Sequence, residues 1–253
     1  MKPVSLSLDD LAHHVVKFGI DIYPPVDLSN ERTRLNMFSE AVCDRWPELY
    51  ERLVVSDREF SISKSFARGQ ARTDPTLEVN TFVITNRGPV FIFPLLLPDP
   101  VGATGLEGSF LDLIKEIRQL LFQALLERKI MRVGLVRDLV FMTGSSPCLD
   151  ILAKQATFAK AELISGRSIR SYRDERCNVR ITIDTVELMK TTQMPVGKRV
   201  EEPVGAGLRV ALDVNNTEVR PMAEADIEEV VERAVSLWPE QLLEYITGER
   251  SSS

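Results

Sequence analysis

The chain has 253 residues, of which 44% are hydrophobic and 27% are charged, and this balance excludes a disordered or coiled-coil protein. Thirty-one basic and thirty-seven acidic side chains give a net charge of −6, so a strong general attraction to nucleic acid or anionic membranes is not expected. Three scattered cysteines without a CxxC motif argue against a disulfide framework or a zinc ribbon. No secretory signal and no apolar run long enough to span a bilayer is visible, which predicts a cytoplasmic protein.

The first strand and the first helix are predicted from two apolar patterns. Residues 14–23 alternate between apolar and polar side chains, which is the pattern of a half-buried strand that Pro24 then ends. The apolar positions of this strand are Val16, Phe18, Ile20 and Ile22. Ser29 or Asn30 is expected to cap the helix that follows. The apolar stripe of that helix comprises Leu35, Phe38, Ala41, Val42 and Trp46.

Three further strands and a long helix are predicted in the rest of the first half. Phe60, Ile62 and Phe66 alternate with serines, and two apolar runs flank the turn sequence TNRG. Gly88 of this turn suits a positive φ, so the two runs should form a hairpin. A helix is predicted from about 106 to 127, because apolar residues recur there at i, i+3 and i+4. They are Phe110, Leu113, Ile114, Ile117, Leu120, Leu121 and Leu125.

The second half of the chain repeats this order of elements. The predicted elements are a strand at 130–142, a helix at 148–158, strands at about 168–173, 178–189 and 207–214, and a helix at 222–247. The inward positions of the last helix are Ile227, Val230, Val231, Ala234, Val235 and Trp238. Hairpins dominate over strict β-α alternation, which predicts an α+β fold with an antiparallel sheet and helices packed on one face. Two pseudo-repeated β-α-β-β-β-α halves, 1–128 and 129–253, are expected to pack as one compact unit.

The only two tryptophans of the chain, Trp46 and Trp238, are each followed by Pro and Glu. Proline lacks an N–H and disfavours the α conformation in the residue before it. Each Trp-Pro step should therefore end or kink a helix. We interpret the doubled motif as a helix-terminating device in which both indoles pack against the core, and not as a duplicated binding site.

Reactive side chains form no recognisable catalytic or metal-binding pattern. His13 and His14 are the only histidines, and as neighbours in a strand they should point to opposite faces. The segment TGSSP at 143–147 lacks the lysine of a phosphate loop, and GAGLRV at 205–210 precedes a strand instead of following one. We therefore predict no catalytic residue, no metal site and no cofactor.

The segment GRSIRSYRDERCNVR is the most unusual local feature of the sequence. Its candidate residues for binding a ligand or an anion are Arg167, Arg170, Tyr172, Arg173, Arg176 and Arg180. Arginines beside an aromatic ring can bind phosphate or stack on a nucleic-acid base. Asp174 and Glu175 interrupt the run, so the alternative is a solvated strand face with weak surface ion pairs.

Four structural features together give the chain a family resemblance. They are a strand ending in Tyr23-Pro24-Pro25, a helix closed by Trp46-Pro47-Glu48, the strand RVGLVRDLVF and the strand ALDVNN. In these features the chain resembles a sporadically distributed, uncharacterised family of prokaryotic proteins of similar size. The resemblance implies no catalytic residue and favours a binding or regulatory role in a bacterial cytoplasm.

The sequence favours a non-enzymatic cytoplasmic protein that works through protein contacts, as an oligomerising, adaptor or chaperone-like module. Strands such as TFVI and VFIF are apolar on both faces, so helices or a partner must cover the second face. We predict a protein partner or self-association as a homodimer, and no membrane contact. Two alternatives stay open. One is nucleic-acid or phosphate-ligand binding through the arginine-rich segment, and the other is an enzyme whose carboxylates converge only in the fold.

Overall fold

The computed structural model describes residues 6–47, 50, 52–55, 60–65, 79–84, 88–95, 102–125, 128–142, 167–174, 176–193 and 199–247. Its strands are β1 (Leu11–Tyr23), β2 (Arg52–Val55), β3 (Phe60–Ser65), β4 (Val79–Ile84), β5 (Pro89–Leu95), β6 (Lys129–Met142), β7 (Arg167–Arg173), β8 (Cys177–Gln193) and β9 (Arg199–Asn216). Its helices are α1 (Arg32–Arg45), α2 (Gly102–Ala124), α3 (Glu224–Ser236) and α4 (Glu240–Thr247), with a 3-10 turn at Leu8–Asp10.

All of these strands belong to one antiparallel sheet, in the order β2-β3-β4-β5-β1-β6-β9-β8-β7. The long strands β1 and β6 lie at its centre, and β2 and β7 are its edges. Strands that follow one another in the chain are neighbours in β2-β3-β4-β5 and in β9-β8-β7, an arrangement that short connections favour. The predicted α+β fold with an antiparallel sheet is confirmed.

The helices cover the apolar face of the sheet. Leu135 of β6 lies opposite Phe18 of β1 and opposite Val214 of β9, and all three side chains are buried. Because directly opposite residues share a face, this register gathers the apolar positions of the central strands on one side. They pack in one cluster with helix residues Leu35, Phe38, Val42, Leu113, Ile114, Ile117, Leu121, Ile227, Val230, Ala234, Leu242 and Ile246.

The other face of the sheet is mixed and largely charged at its centre. Arg209 donates two hydrogen bonds to Asp138, at 2.8 and 2.6 Å, and Lys17 Nζ lies 4.0 Å from the same carboxylate. Val15 and Thr182 belong to the same row of side chains and are buried. This face is therefore stabilised by cross-strand pairs and not by a second helical layer among the described residues.

Arg137 is an exception to the apolar helix-covered face. It lies on the same face as Leu135 and Leu139 and is fully buried. Its guanidinium lies 5.5 Å from the Trp238 ring, and its Nη1 lies 3.4 Å from Nε2 of His14. A buried cation requires polar or aromatic partners. The cluster of Arg137, His14 and Trp238 joins β1 and β6 to the end of α3.

Several strand boundaries differ from the prediction. β2 was not predicted, because RLVV is too short to show a period. β8 ends at Gln193, beyond the expected range 178–189. β9 begins at Arg199, eight residues before the expected range 207–214. The two strands pair along their whole length, so the hydrogen-bond ladder continues through residues that lack apolar alternation.

The helices also differ from the prediction in detail. The N-cap of α1 is Glu31, and Asp27 accepts the backbone N–H groups of Ser29 and Asn30, so neither of the predicted residues is the cap. α2 begins at Gly102, four residues before the predicted start. Ala41 and Val235 are exposed. Each of the two lies at the border of its apolar stripe, next to the solvent-facing side of its helix.

Both Trp-Pro steps stand at helix ends, as predicted. α1 ends at Arg45, directly before Trp46-Pro47, and α3 ends at Ser236, two residues before Trp238-Pro239. The expected single helix over 222–247 is therefore two helices. Trp238 is 5% exposed, and Trp46 is half-buried against the core.

Gly88 has a φ of +147°, as its place in the predicted hairpin requires. A Cβ at this position would collide with the carbonyl oxygen of Ile20, so close backbone contact also requires glycine there. The predicted helix at 148–158, the segment 143–147, the side chain of Phe110, and Phe66 and Cys148 lie outside the described residues. The boundary between the predicted halves falls between α2 and β6, and the first half contains one strand more than its predicted pattern.

Candidate binding surface at the β7 edge

Strand β7 forms one edge of the sheet and is exposed along its length. Every residue of β7 except Ser168 is exposed, including Ile169 at 45% and Tyr172 at 47%. Its sequence RSIRSYR has no apolar face, so it does not pack into the core as the central strands do. An edge strand presents backbone N–H and C=O groups to solvent on its outer side, which is a template for pairing with another chain.

A cavity of about 270 Å³ adjoins this edge, between the helix-covered ends of β7–β9 and the helices α3 and α4. Its apolar floor consists of Val179, Ile181, Leu212, Leu237 and Leu242. Its polar rim consists of Tyr172, Arg173, Asp174, Arg233, Gln241 and Tyr245. An apolar floor with a few polar groups at the rim is the usual make-up of a binding pocket. We call β7 and this cavity together the β7 surface.

Two tyrosines meet at the rim of the cavity. The rings of Tyr172 on β7 and Tyr245 on α4 are T-shaped with centroids 5.9 Å apart, a favourable geometry for aromatic rings. Burial raises the pKa of Tyr245, and a hydrogen bond with Tyr172 adds to this rise, whereas Arg170 lowers the pKa. Tyr245 therefore stays a neutral phenol that can donate or accept a hydrogen bond at the rim.

Asp174 fixes the turn between β7 and β8. Its carboxylate accepts the backbone N–H groups of Cys177 at 2.6 Å and Arg176 at 3.2 Å, and also Nε of Arg233 at 3.0 Å. Burial raises the pKa of Asp174, but these hydrogen bonds lower it by more, so that the net pKa lies below the ordinary value. The turn is thereby anchored to α3, which holds the end of β7 over the cavity.

The six candidate residues of the arginine-rich segment do not form one cluster. Tyr172 and Arg170 lie on the helix-covered face, opposite Val179 and Ile181, and Arg173 reaches the rim of the cavity from the other face. Three further arginines lie elsewhere: Arg167 is paired with Asp184 at 3.1 Å, Arg176 is ion-paired with Glu229 of α3, and Arg180 is exposed on the open face of β8. The structure thus gathers Arg170, Tyr172 and Arg173 near the cavity, leaves Arg167 at the far end of β7, and places Arg176 and Arg180 outside the β7 surface.

The polar pocket near the start of α3 and the Cys177 thiol are poorer candidates for binding a ligand than the β7 surface. A second, polar pocket near the start of α3 contains Arg220, which is ion-paired with Asp226 at 2.8 Å, and Arg176, which is ion-paired with Glu229. Burial raises the pKa of the Cys177 thiol to about 11, so this thiol is unreactive at neutral pH. Within the described ranges no group of three or more His, Cys, Asp and Glu side chains is placed to hold a metal ion.

Sequence reasoning found the β7 half of this surface and missed the helical half. Leu237, Gln241, Leu242 and Tyr245 come from the end of α3 and from α4, which were expected to form one continuous helix. The Trp238-Pro239 step predicts a helix end at this point, but the sequence does not show that the helix after it lines the cavity with Leu242 and Tyr245. Neither a protein-family model nor a curated protein matches the sequence, so the family resemblance stays a prediction. No helix among the described residues is both long and apolar enough to cross a bilayer.

Proposed function

We propose that this protein is a non-enzymatic cytoplasmic binding module that works through protein contacts and holds an extended segment of a partner protein at the β7 surface. The observation that carries the proposal is an exposed edge strand directly beside an apolar cavity. Strand addition supplies affinity through main-chain hydrogen bonds, and pockets for alternate side chains supply specificity. The β7 surface offers both.

The arrangement of the arginines supports protein binding over nucleic-acid binding. A nucleic-acid site needs a continuous positive groove that follows the phosphate backbone. Here Arg167 and Arg176 are paired with carboxylates, and Arg170 lies on the opposite face of the strand from Arg173. A paired protein strand has side chains on both of its faces, so it can contact Arg170 on one face of β7 and Arg173 on the other.

Selection of random twelve-residue peptides displayed against the full-length chain tests this proposal. We expect enriched peptides to slow amide hydrogen exchange over 167–173, because an added strand protects the free N–H groups of β7. Replacing Gln241 at the cavity rim by Trp should weaken binding by about tenfold or more, which corresponds to about 1.4 kcal/mol.

Glu240→Trp is the matched control, because Glu240 is the exposed neighbour of Gln241 on α4 and does not line the cavity. Its affinity should equal that of the unaltered chain. Failure to enrich any peptide, or protection confined to segments other than 167–173, would refute the proposed function.

A further inference from the structure

The arginines of β7 recur at every third position. Arg167, Arg170 and Arg173 span the strand from its first residue to its last. Because side chains alternate along a strand, residues three apart point to opposite faces. The register with β8 agrees: Arg170 lies opposite the buried Ile181, whereas Arg167 lies opposite Asp184 on the open face. A strand paired with β7 would therefore meet positive charge on both of its faces.

We infer that the β7 surface selects an acidic extended segment whose carboxylates recur at every third residue. This inference rests on the proposed function, since it presupposes strand addition at β7. Residues directly opposite each other on neighbouring strands share a face, and opposite charges in such pairs attract. Carboxylates at positions i, i+3 and i+6 of the segment therefore lie opposite Arg167, Arg170 and Arg173. This holds whether the segment pairs parallel or antiparallel to β7.

The three arginines differ in how much they offer to such a segment. Arg173 makes no ion pair with any other described residue. Arg167 is already paired with Asp184, although its side chain is 61% exposed, and Arg170 interacts with Tyr245. The loss of Arg173 should accordingly weaken binding more than the loss of Arg167.

The cavity adds an apolar requirement to the segment. Tyr172, at the cavity rim, lies one residue from Arg173, so the partner residue opposite Tyr172 is next to a terminal carboxylate of the i, i+3, i+6 pattern. That residue shares the helix-covered face with Tyr172. A leucine at this position would pack against the ring of Tyr172 at the cavity rim. The segment thus has an acidic residue at every third position and an apolar residue next to the carboxylate that lies opposite Arg173.

A second copy of this chain fits β7 poorly. When β7 is paired antiparallel with itself over its full length, Arg170 faces Arg170 and Arg167 faces Arg173 of the other copy. Like charges directly opposite each other are destabilising. The three arginines thus disfavour pairing of β7 with a second copy of itself, and they favour pairing with an acidic strand.

Fluorescein-labelled peptides titrated into the full-length chain test the inference by anisotropy. The probe is Glu-Leu-Thr-Glu-Thr-Leu-Glu, which reads the same in both directions. The comparison peptide Glu-Leu-Glu-Thr-Glu-Leu-Thr has the same composition and the same leucine positions, with all carboxylates on one face. We expect the probe to bind about tenfold tighter, because only its carboxylates match all three arginines.

Arginine substitutions supply the second half of the test. Arg173→Gln should lower the affinity for the probe by about two- to five-fold, and Arg167→Gln should lower it by less. Arg34→Gln, at an exposed arginine of α1, is the matched control and should have no effect. Joint replacement of Arg167, Arg170 and Arg173 by Glu should abolish probe binding and confer binding of Lys-Leu-Thr-Lys-Thr-Leu-Lys, with circular dichroism confirming the fold.

Four outcomes would overturn the inference. Equal affinities for the two acidic peptides, with hydrogen-exchange protection at 167–173, would leave the proposed function intact and refute the charge spacing. Absence of protection by any peptide, including those selected from the random library, would refute both. Tighter binding of a single-stranded oligo-dT that displaces the probe would assign the arginines to phosphate. A homodimer that the triple change dissociates would show that a second copy occupies β7.

Discussion

At the scale of single residues, Asp174 determines how the end of β7 is held. Hydrogen bonds keep its pKa below the ordinary value of 3.8 in the folded chain. A carboxyl group with a depressed folded pKa stabilises the fold fully above its unfolded pKa, and this contribution is lost as pH falls through the folded pKa. Acidification below about pH 4 should therefore loosen the β7–β8 turn.

Replacement of Asp174 by Asn should remove part of this acid sensitivity. Urea midpoints measured between pH 7 and pH 3 should fall less steeply for Asp174→Asn than for the unaltered chain, because the variant has no proton to gain at this site. Asp44→Asn, at an exposed position of α1, should keep the original pH profile. Parallel pH profiles for Asp174→Asn and the unaltered chain would contradict this assignment.

At the scale of elements, the two Trp-Pro steps end helices alike but bury their indoles unequally. Trp238 is 5% exposed and contacts His14, with ring centroids 5.1 Å apart, and Arg137. Trp46 is half-buried, and Arg45 lies 5.0 Å from its ring. Trp238→Ala should therefore lower the free energy of unfolding by about 3–5 kcal/mol, and Trp46→Ala by about half as much. Urea denaturation measures both, and equal losses would refute the difference in burial.

Elements with a strong period were predictable from the sequence, whereas the β7 surface was only partly so. Alternation in β1 and the i, i+3, i+4 spacing of α2 placed Phe18 and Ile117 correctly in the core. Local pattern could not reveal that Arg137 of β6 is buried, since burial there depends on Trp238 packing against it. The same limit applies to Tyr245, because its contact with Tyr172 joins elements that are far apart in sequence.

At the scale of the whole molecule, the predicted halves share one sheet. β1 and β6 come from different halves and pair from Leu11 opposite Phe141 to Tyr23 opposite Lys129. Ion pairs also cross the boundary, since Arg118 of α2 is paired with Glu224 of α3, and Lys115 of α2 with Glu228 of α3 at 3.4 Å. Neither half can expose its central strand without leaving unpaired backbone groups and an uncovered apolar face.

The two halves should consequently unfold together, and the tryptophans make this measurable. Each predicted half contains one tryptophan, so Trp46→Phe leaves a fluorescent reporter in the second half and Trp238→Phe leaves one in the first. Within each variant, the fluorescence transition in urea should coincide with the far-ultraviolet circular dichroism transition, because breaking the β1–β6 ladder disrupts both sides at once. Fluorescence of one reporter that changes at a lower urea concentration than the circular dichroism signal would instead show that its half unfolds independently, despite the continuous sheet.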